Sequence, residues 1–354
     1  MGALSQEPQL RLAIGAEEDV GAARRAVARM AARLPAIRAS EAELAATELA
    51  ANLFRHASGG YLLCRPAGGG IELISVDHGP GLRPGSLSPA PMQRLADRPH
   101  AGGLGLGLGL GLASVRRLSA VFDHYTGPAG TIILARLHGC APAGNEDFAW
   151  GGVNVPLGGS GESGDGWAVA QDDRLAAGDR LAALVVDGLG HGPQAAAAAQ
   201  AAIAAFSACP VACPVAGPEK FLRRAHEAMR GTRGGVLGVC VIDPARGELV
   251  YAGVGNISGL LLYGASSHGL VSHDGTAGTE LALPRARELT HQWGPDATLI
   301  LASDGIRRHW EVASYPGLLR RDPAVIAAIL YRDYQRGTDD ATVLVVRDTR
   351  GDAP

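Results

Sequence analysis

Blocks of helical apolar periodicity alternate with short apolar runs along this chain, and the alternation marks out its elements. "LRLAI" at 10–14 predicts a short strand. Residues 17–34, "EEDVGAARRAVARMAARL", have helical spacing, with acids in the first turn where the helix dipole favours them. A second helix is predicted over 40–57, where Ser40 and Glu43 have the spacing of a capping box. "GYLLCRPA" and "IELISVDHG" read as strands, a helix is expected near 112–121, and "TIILARL" at 131–137 as a further strand. Helices on a mixed sheet make a two-layer α/β sandwich.

The pattern lapses in "GCAPAGNEDFAW", so the reading is a first domain at 1–139, a linker at 140–150 and a second domain at 151–350. The second half predicts strands at 167–173, 180–188, 235–242, 248–254, 258–263, 297–303 and 341–347. It predicts helices at 193–208, 218–230 and 322–334. Its strands are too continuously apolar for a one-sided sheet, so two packed sheets flanked by helices are expected.

Composition narrows the function classes. At 354 residues, 47% hydrophobic and 19% charged, the chain can build two cores. A net charge of −3 gives no electrostatic case for nucleic acid or an anionic membrane. Lys220 is the only lysine, which excludes a phosphate loop of the G-x-x-x-x-G-K type. No apolar run reaches membrane-spanning length and no signal pattern opens the chain, so a cytoplasmic protein is expected. Five cysteines, an odd number, read as free thiols, with "CPVAC" at 209–213 a connector rather than a metal motif.

Glu48, Asn52 and His56 are spaced four apart, on one face of the second helix. Alone they also fit an ordinary solvated face. Asp77 follows an apolar strand in "DHGPGL", and "GGLGLGLGLGLASVRRLS" leads into a helix. Each part has a task at a nucleotide. Asp77 can accept from an exocyclic amine, Gly79 and Gly81 let backbone approach a base, and Asn52 can bind Mg²⁺ beside phosphates. Amides of Gly103, Gly105, Gly107 and Gly109 and the following helix N-terminus can face the phosphates. Glu48 can accept a proton from an attacking hydroxyl.

In this order the motifs resemble the GHKL (Bergerat-type) ATP-binding fold over about 10–138, and most closely the small RsbT-like serine kinases. The resemblance implies Mg²⁺-ATP binding, Glu48 as catalytic base and Asn52 as the Mg²⁺ ligand.

In the second half Asp165, Asp187, Asp304 and the pair Asp339–Asp340 stand at strand ends or turns. Clustered carboxylates need cations, and an all-oxygen set points to Mg²⁺ or Mn²⁺. Two such ions can hold a hydroxide and clamp a phosphate. The motif order, from "GDG" through "VVDGLGHG" and "SDG" to "DDAT", resembles the SpoIIE/RsbX branch of the metal-dependent type 2C Ser/Thr phosphatases, an α-β-β-α sandwich. It implies two Mn²⁺ or Mg²⁺ ions. Asp187 would bridge them, the Gly188 carbonyl would bind one, and Asp304 and Asp339 would hold the second. Asp165 would bind directly or through water, with the division of roles between Asp339 and Asp340 left open. His191 is a candidate general acid, though the tight "GLGHG" turn accounts for it nearly as well.

Together the two resemblances imply a bifunctional partner-switching regulator of overall class α/β (α+β). The first half would phosphorylate a STAS-domain, stressosome-like protein, and the second would remove phosphate from phosphoserine or phosphothreonine in the same pathway. The alternative is a phosphatase alone, its first half a nucleotide- or partner-binding module. A sigma-factor-pathway component as partner and a homodimer are further expectations of the resemblance.

Overall fold

The computed structural model describes residues 4–5, 7–57, 59–82, 111–137, 147–172, 180–208, 217–264, 266–279 and 285–351. The Gly-Leu run with Gly103, Gly105, Gly107 and Gly109, most of the expected linker, and Cys209 and Cys213 lie outside these residues. The chain divides into two compact units, Leu10–Pro142 and Met1–Gln9 with Ala143–Pro354. The first nine residues, assigned above to the first domain, therefore group with the second. Strand β1 (Leu4–Ser5) pairs there with residues 168–169, and the Gln9 N–H donates to the Asn154 carbonyl at 2.8 Å. Neither contact has a local sequence signature.

The first unit holds β2 (Leu10–Ile14), α1 (Glu17–Ala31), α2 (Ala39–His56), β3 (Gly60–Ala67), β4 (Gly70–Val76), α3 (Gly111–Leu118), β5 (Ser119–Gly127) and β6 (Gly130–Leu137). Its sheet runs β2-β3-β4-β6-β5 and every pairing is antiparallel, not mixed as expected. The helices cover one face. Val20, Val27, Leu49 and Leu53 pack with Leu62, Leu73 and Ile133. The acids of α1 act as expected, since the Asp19 carboxylate accepts from the Gly15 and Ala16 amides, both at 2.9 Å. The Ser40–Glu43 box does not form. The helix starts one residue earlier, on the Arg38 carbonyl, which leaves Ser40 inside it. The helix expected to 121 stops at Leu118, and the chain turns directly into β5 through a bulge between Ser119 and Val121.

The second unit stacks two antiparallel sheets. One runs in order β1, β8 (Asp165–Asp172), β9 (Arg180–Gly188), β10 (Gly235–Asp243), β11 (Glu248–Val254) and β14 (Leu289–Gln292). The other runs β13 (Ser266–Leu270), β12 (Ser258–Tyr263), β15 (Thr298–Ala302), β16 (Ala341–Asp348) and β7 (Phe148–Val155). Trp150, Trp167, Val185, Tyr251, Leu299 and Leu344 fill the space between them. Helices α4 (Pro193–Ser207) and α5 (Pro218–Met229) cover the first sheet, with Ala198, Ala202, Phe206 and Phe221 on Leu184, Val186 and Val239. Helix α6 (Pro323–Tyr334) lies on β7 and β16, which completes an α-β-β-α sandwich.

Candidate functional site

The strand ends gather the acids of the second unit. Asp165 opens β8 and Asp187 stands one residue before the end of β9, and the antiparallel register places them directly opposite each other. Asp304 follows β15 by two residues, and Asp339 and Asp340 immediately precede β16, whose start pairs with the end of β15. Four strands from two sheets thus deliver five carboxylates to one end of the sandwich.

Their electrostatics show the crowding. Burial, then the neighbouring Asp304, Asp339 and Asp340, push the Asp187 carboxyl up to about 8, although the Asp304 amide donates to it. Burial and Asp187 raise Asp165 well above the usual carboxylate range. Asp339 is raised too, by burial and then by Asp304 and Asp340, with His191 opposing. His191 is exposed on the turn that follows Gly188. Among the described residues no three His, Cys, Asp or Glu side chains stand close enough to hold a metal ion as they are placed.

Two residues overlooked in the sequence hold the acids in position. The fully buried Ser303 hydroxyl donates to Asp165 Oδ2 at 2.5 Å and accepts from the Thr342 amide at 3.0 Å, which ties the two sheets together at this end. Asn256 Nδ2 donates to Asp304 Oδ2 at 2.9 Å. Asp340 differs from its neighbour. Its oxygens accept from the Leu157 amide at 2.6 Å and the Gly164 amide at 2.5 Å, so it fastens the loop that leads into Asp165. Gly305 lets the Asp304 turn pack on the Asp340 backbone, since a Cβ there would collide with the Asp340 carbonyl. Gly188, the expected carbonyl ligand, is buried, and its amide donates to the Gly164 carbonyl at 2.9 Å.

In the first unit, Glu48 and Asn52 are half-buried on α2 and His56 is exposed. Asn52 Nδ2 is buried and has no hydrogen-bond partner among the described residues. Asp77 Oδ1 accepts from the Gly79 amide at 2.8 Å and the Thr131 amide at 3.0 Å. Thr131, also overlooked, is buried, and its hydroxyl lies 3.1 Å from that of Thr126. The two glycines have reasons of their own. A Cβ on Gly79 would lie 3.1 Å from Ala57 Cα, and Gly81 has φ +84° with Gly127 O 2.7 Å from where its Cβ would be. Protein packing thus suffices to explain them. The described cysteines, Cys64 and Cys240, are free and buried, and burial pushes both thiols up to about 12.

Comparison with known families gives the class of each unit. Residues 15–137 match the histidine kinase-like ATPase domain, and residues 177–348 match Stage II sporulation protein E (SpoIIE). The chain therefore joins a GHKL-like ATPase domain to a SpoIIE-type PP2C phosphatase domain.

Solved structures similar to it include one from work on the bacterial stressosome, 26% identical, covering 56% of this chain and 99% of that one with a TM-score of 0.49. RsbX in complex with magnesium is 20% identical, with 58% and 97% covered and a TM-score of 0.48. The PP2C phosphatase domain with a regulatory fragment of SpoIIE from Bacillus subtilis is 17% identical, with 78% and 79% covered and a TM-score of 0.45. No curated protein matches the chain. Among the described residues no helix is long and apolar enough to cross a membrane.

Proposed function

We propose that the second unit is a metal-dependent phosphatase acting on phosphoserine or phosphothreonine in a protein. The observation that carries this reading is the delivery of Asp165, Asp187, Asp304 and Asp339 to one end of the sandwich by four strand ends, where burial and neighbouring carboxylates raise Asp165, Asp187 and Asp339. Such a cluster is unfavourable by itself, and an all-oxygen donor set suits Mg²⁺ or Mn²⁺. Asp187, Asp304, Asp339 and the Gly188 carbonyl would hold two ions, with Asp165 direct or through water. Bound there, they supply a hydroxide at neutral pH and positive charge for the phosphate. Asp340 serves as a tether, because both its oxygens already accept backbone amides. Ser303 and Asn256 orient Asp165 and Asp304. His191, exposed beside Asp339, is placed to give a proton to the departing serine oxygen.

The first unit supports a Mg²⁺-ATP site in which Asn52 binds the ion and Asp77 reads the adenine amine. Glu48, one turn before Asn52, takes the proton of the attacking hydroxyl. Asn52 Nδ2, buried with no hydrogen-bond partner among the described residues, supports a ligand that offers an acceptor at this face of α2. The substrate we propose is a STAS-type protein of a partner-switching pathway, which the phosphatase unit then resets.

The test of the phosphatase is hydrolysis of p-nitrophenyl phosphate and of a serine-phosphorylated protein with Mn²⁺ or Mg²⁺. Activity should vanish in EDTA and fall at least about 100-fold in Asp304→Ala. Turnover that survives EDTA would refute the metal reading.

A further inference from the structure

The segment before β2 precedes the first unit in sequence yet belongs to the second. β1 flanks β8 at the end of one sheet, but it reaches only residues 168 and 169. β7 is the end strand of the other sheet, where outward amides and carbonyls need partners. Gln9 supplies them. Its amide donates to the Asn154 carbonyl at 2.8 Å, its Oε1 accepts from the Asn154 amide at 2.6 Å, and its Nε2 donates to the Gly152 carbonyl at 3.3 Å. A glutamine side chain carries the donor and acceptor of a peptide group, so it continues the ladder at this edge.

The path leads on to the carboxylate cluster. Asp165 and Asp187 face each other, and the ladder bond runs between their neighbours, from the Gly188 amide to the Gly164 carbonyl. In that arrangement the Asp165 carbonyl points away from β9, and β1 stops short of it. Asn154 Nδ2 meets it instead, donating at 3.1 Å. Asp165 is thus held twice, its carboxylate by Ser303 and its backbone by Asn154. Gln9, Asn154 and Asp165 are all buried.

We propose that Gln9 and Asn154 are positioning residues for Asp165, so that the segment before the first unit is a working part of the metal site. The inference rests on the phosphatase reading above and adds what braces one of its acids. Gln9 fixes β7 at Asn154, and Asn154 fixes the start of β8. Groups that orient a metal ligand commonly account for tenfold or more of the affinity. Gln9 is followed directly by Leu10, the first residue of β2, so the brace sits at a covalent junction of the two units.

The test is a calorimetric titration of the nucleotide-free, full-length protein with Mn²⁺. Gln9→Met keeps the length of the side chain and removes both of its hydrogen bonds. Asn154→Ala removes the donor to Asp165. Each should bind Mn²⁺ about tenfold more weakly than wild type, and p-nitrophenyl phosphate turnover should return to within about twofold of wild type once Mn²⁺ saturates. The double variant should be no weaker than Asn154→Ala, because Gln9 acts through Asn154. Melting in EDTA certifies each fold, and where one variant does not fold the other decides. Wild-type affinity in either variant would overturn the brace, whatever its melting temperature, and additive losses in the double variant would overturn the path from Gln9 through Asn154. A wild-type protein that binds no Mn²⁺ would instead bring down the metal reading of the phosphatase, and the brace's role with it.

Discussion

Asp187 is a carboxylate that the fold places where it prefers to keep its proton. Its folded value is raised from 3.8 to about 8. Between those two values the unfolded chain has released the proton and the metal-free folded chain still holds it. Stability must therefore fall as pH rises through this window, with the full penalty present above it. Asn mimics the protonated acid. In EDTA, Asp187→Asn should melt higher than wild type, with an advantage that widens by up to about 1.4 kcal/mol per pH unit. Calorimetry between pH 5 and 8.5 reads this, and an advantage independent of pH would refute it. Adding Mn²⁺ should reverse the order, since only wild type gains binding energy. The acids themselves were legible because each abuts an apolar strand and, in most cases, a glycine. Ser303, Asn256 and Thr131 were not. They act through partners 138, 48 and 54 residues away in sequence, and no local pattern encodes such pairings.

At the scale of elements, three adjacent strands of the first unit share a buried charge cluster. Arg65, Glu72 and Arg136 stand side by side in register on β3, β4 and β6. Arg65 Nη2 lies 2.7 Å and Arg136 Nε 2.8 Å from the Glu72 carboxylate, and all three side chains are almost fully buried. Burial alone would raise Glu72, but the two guanidiniums prevail and lower it. Glu72→Gln would leave two buried cations without their counter-ion, and should cost about 3–5 kcal/mol by urea unfolding. Replacing all three by Met should recover most of that loss. If Glu72→Gln proves as stable as wild type, the cluster is not the tie described here.

The same scale shows why some elements stayed hidden. Only the first three residues of β7 fall in the expected linker, and the rest carries no expected element, because "GG" at 151–152 breaks its apolar run. Those glycines exist for packing, since a Cβ on Gly151 would lie 2.6 Å from Ala324 N and one on Gly152 would meet Val343 O at 2.5 Å. A glycine demanded by a helix lying on the strand looks, in sequence, like one demanded by a turn. The long helices and the fully apolar central strands carried enough periodicity to be placed within a few residues.

For the whole molecule, the question is whether two opposed activities share one chain. Either reading of the first unit uses the same nucleotide contacts, so binding alone does not separate them. Glu48 does, because a module that only binds has less need of a base one turn from Asn52. The decisive measurement gives the full-length protein labelled ATP, Mg²⁺ and a candidate STAS protein. With both activities present, wild type should show little label at steady state, since what one unit adds the other removes. Asp304→Ala should accumulate it, at least about tenfold over wild type if the phosphatase loss is as large as ligand removal implies. Glu48→Ala in the Asp304→Ala background should abolish that label while ATP still binds. Should the double variant label as well as Asp304→Ala, Glu48 is not the base. If Asp304→Ala leaves the STAS protein as unlabelled as wild type does, opposed chemistry in one chain is excluded for that substrate, and the reading of the first unit as a nucleotide- or partner-binding module is the one left to test.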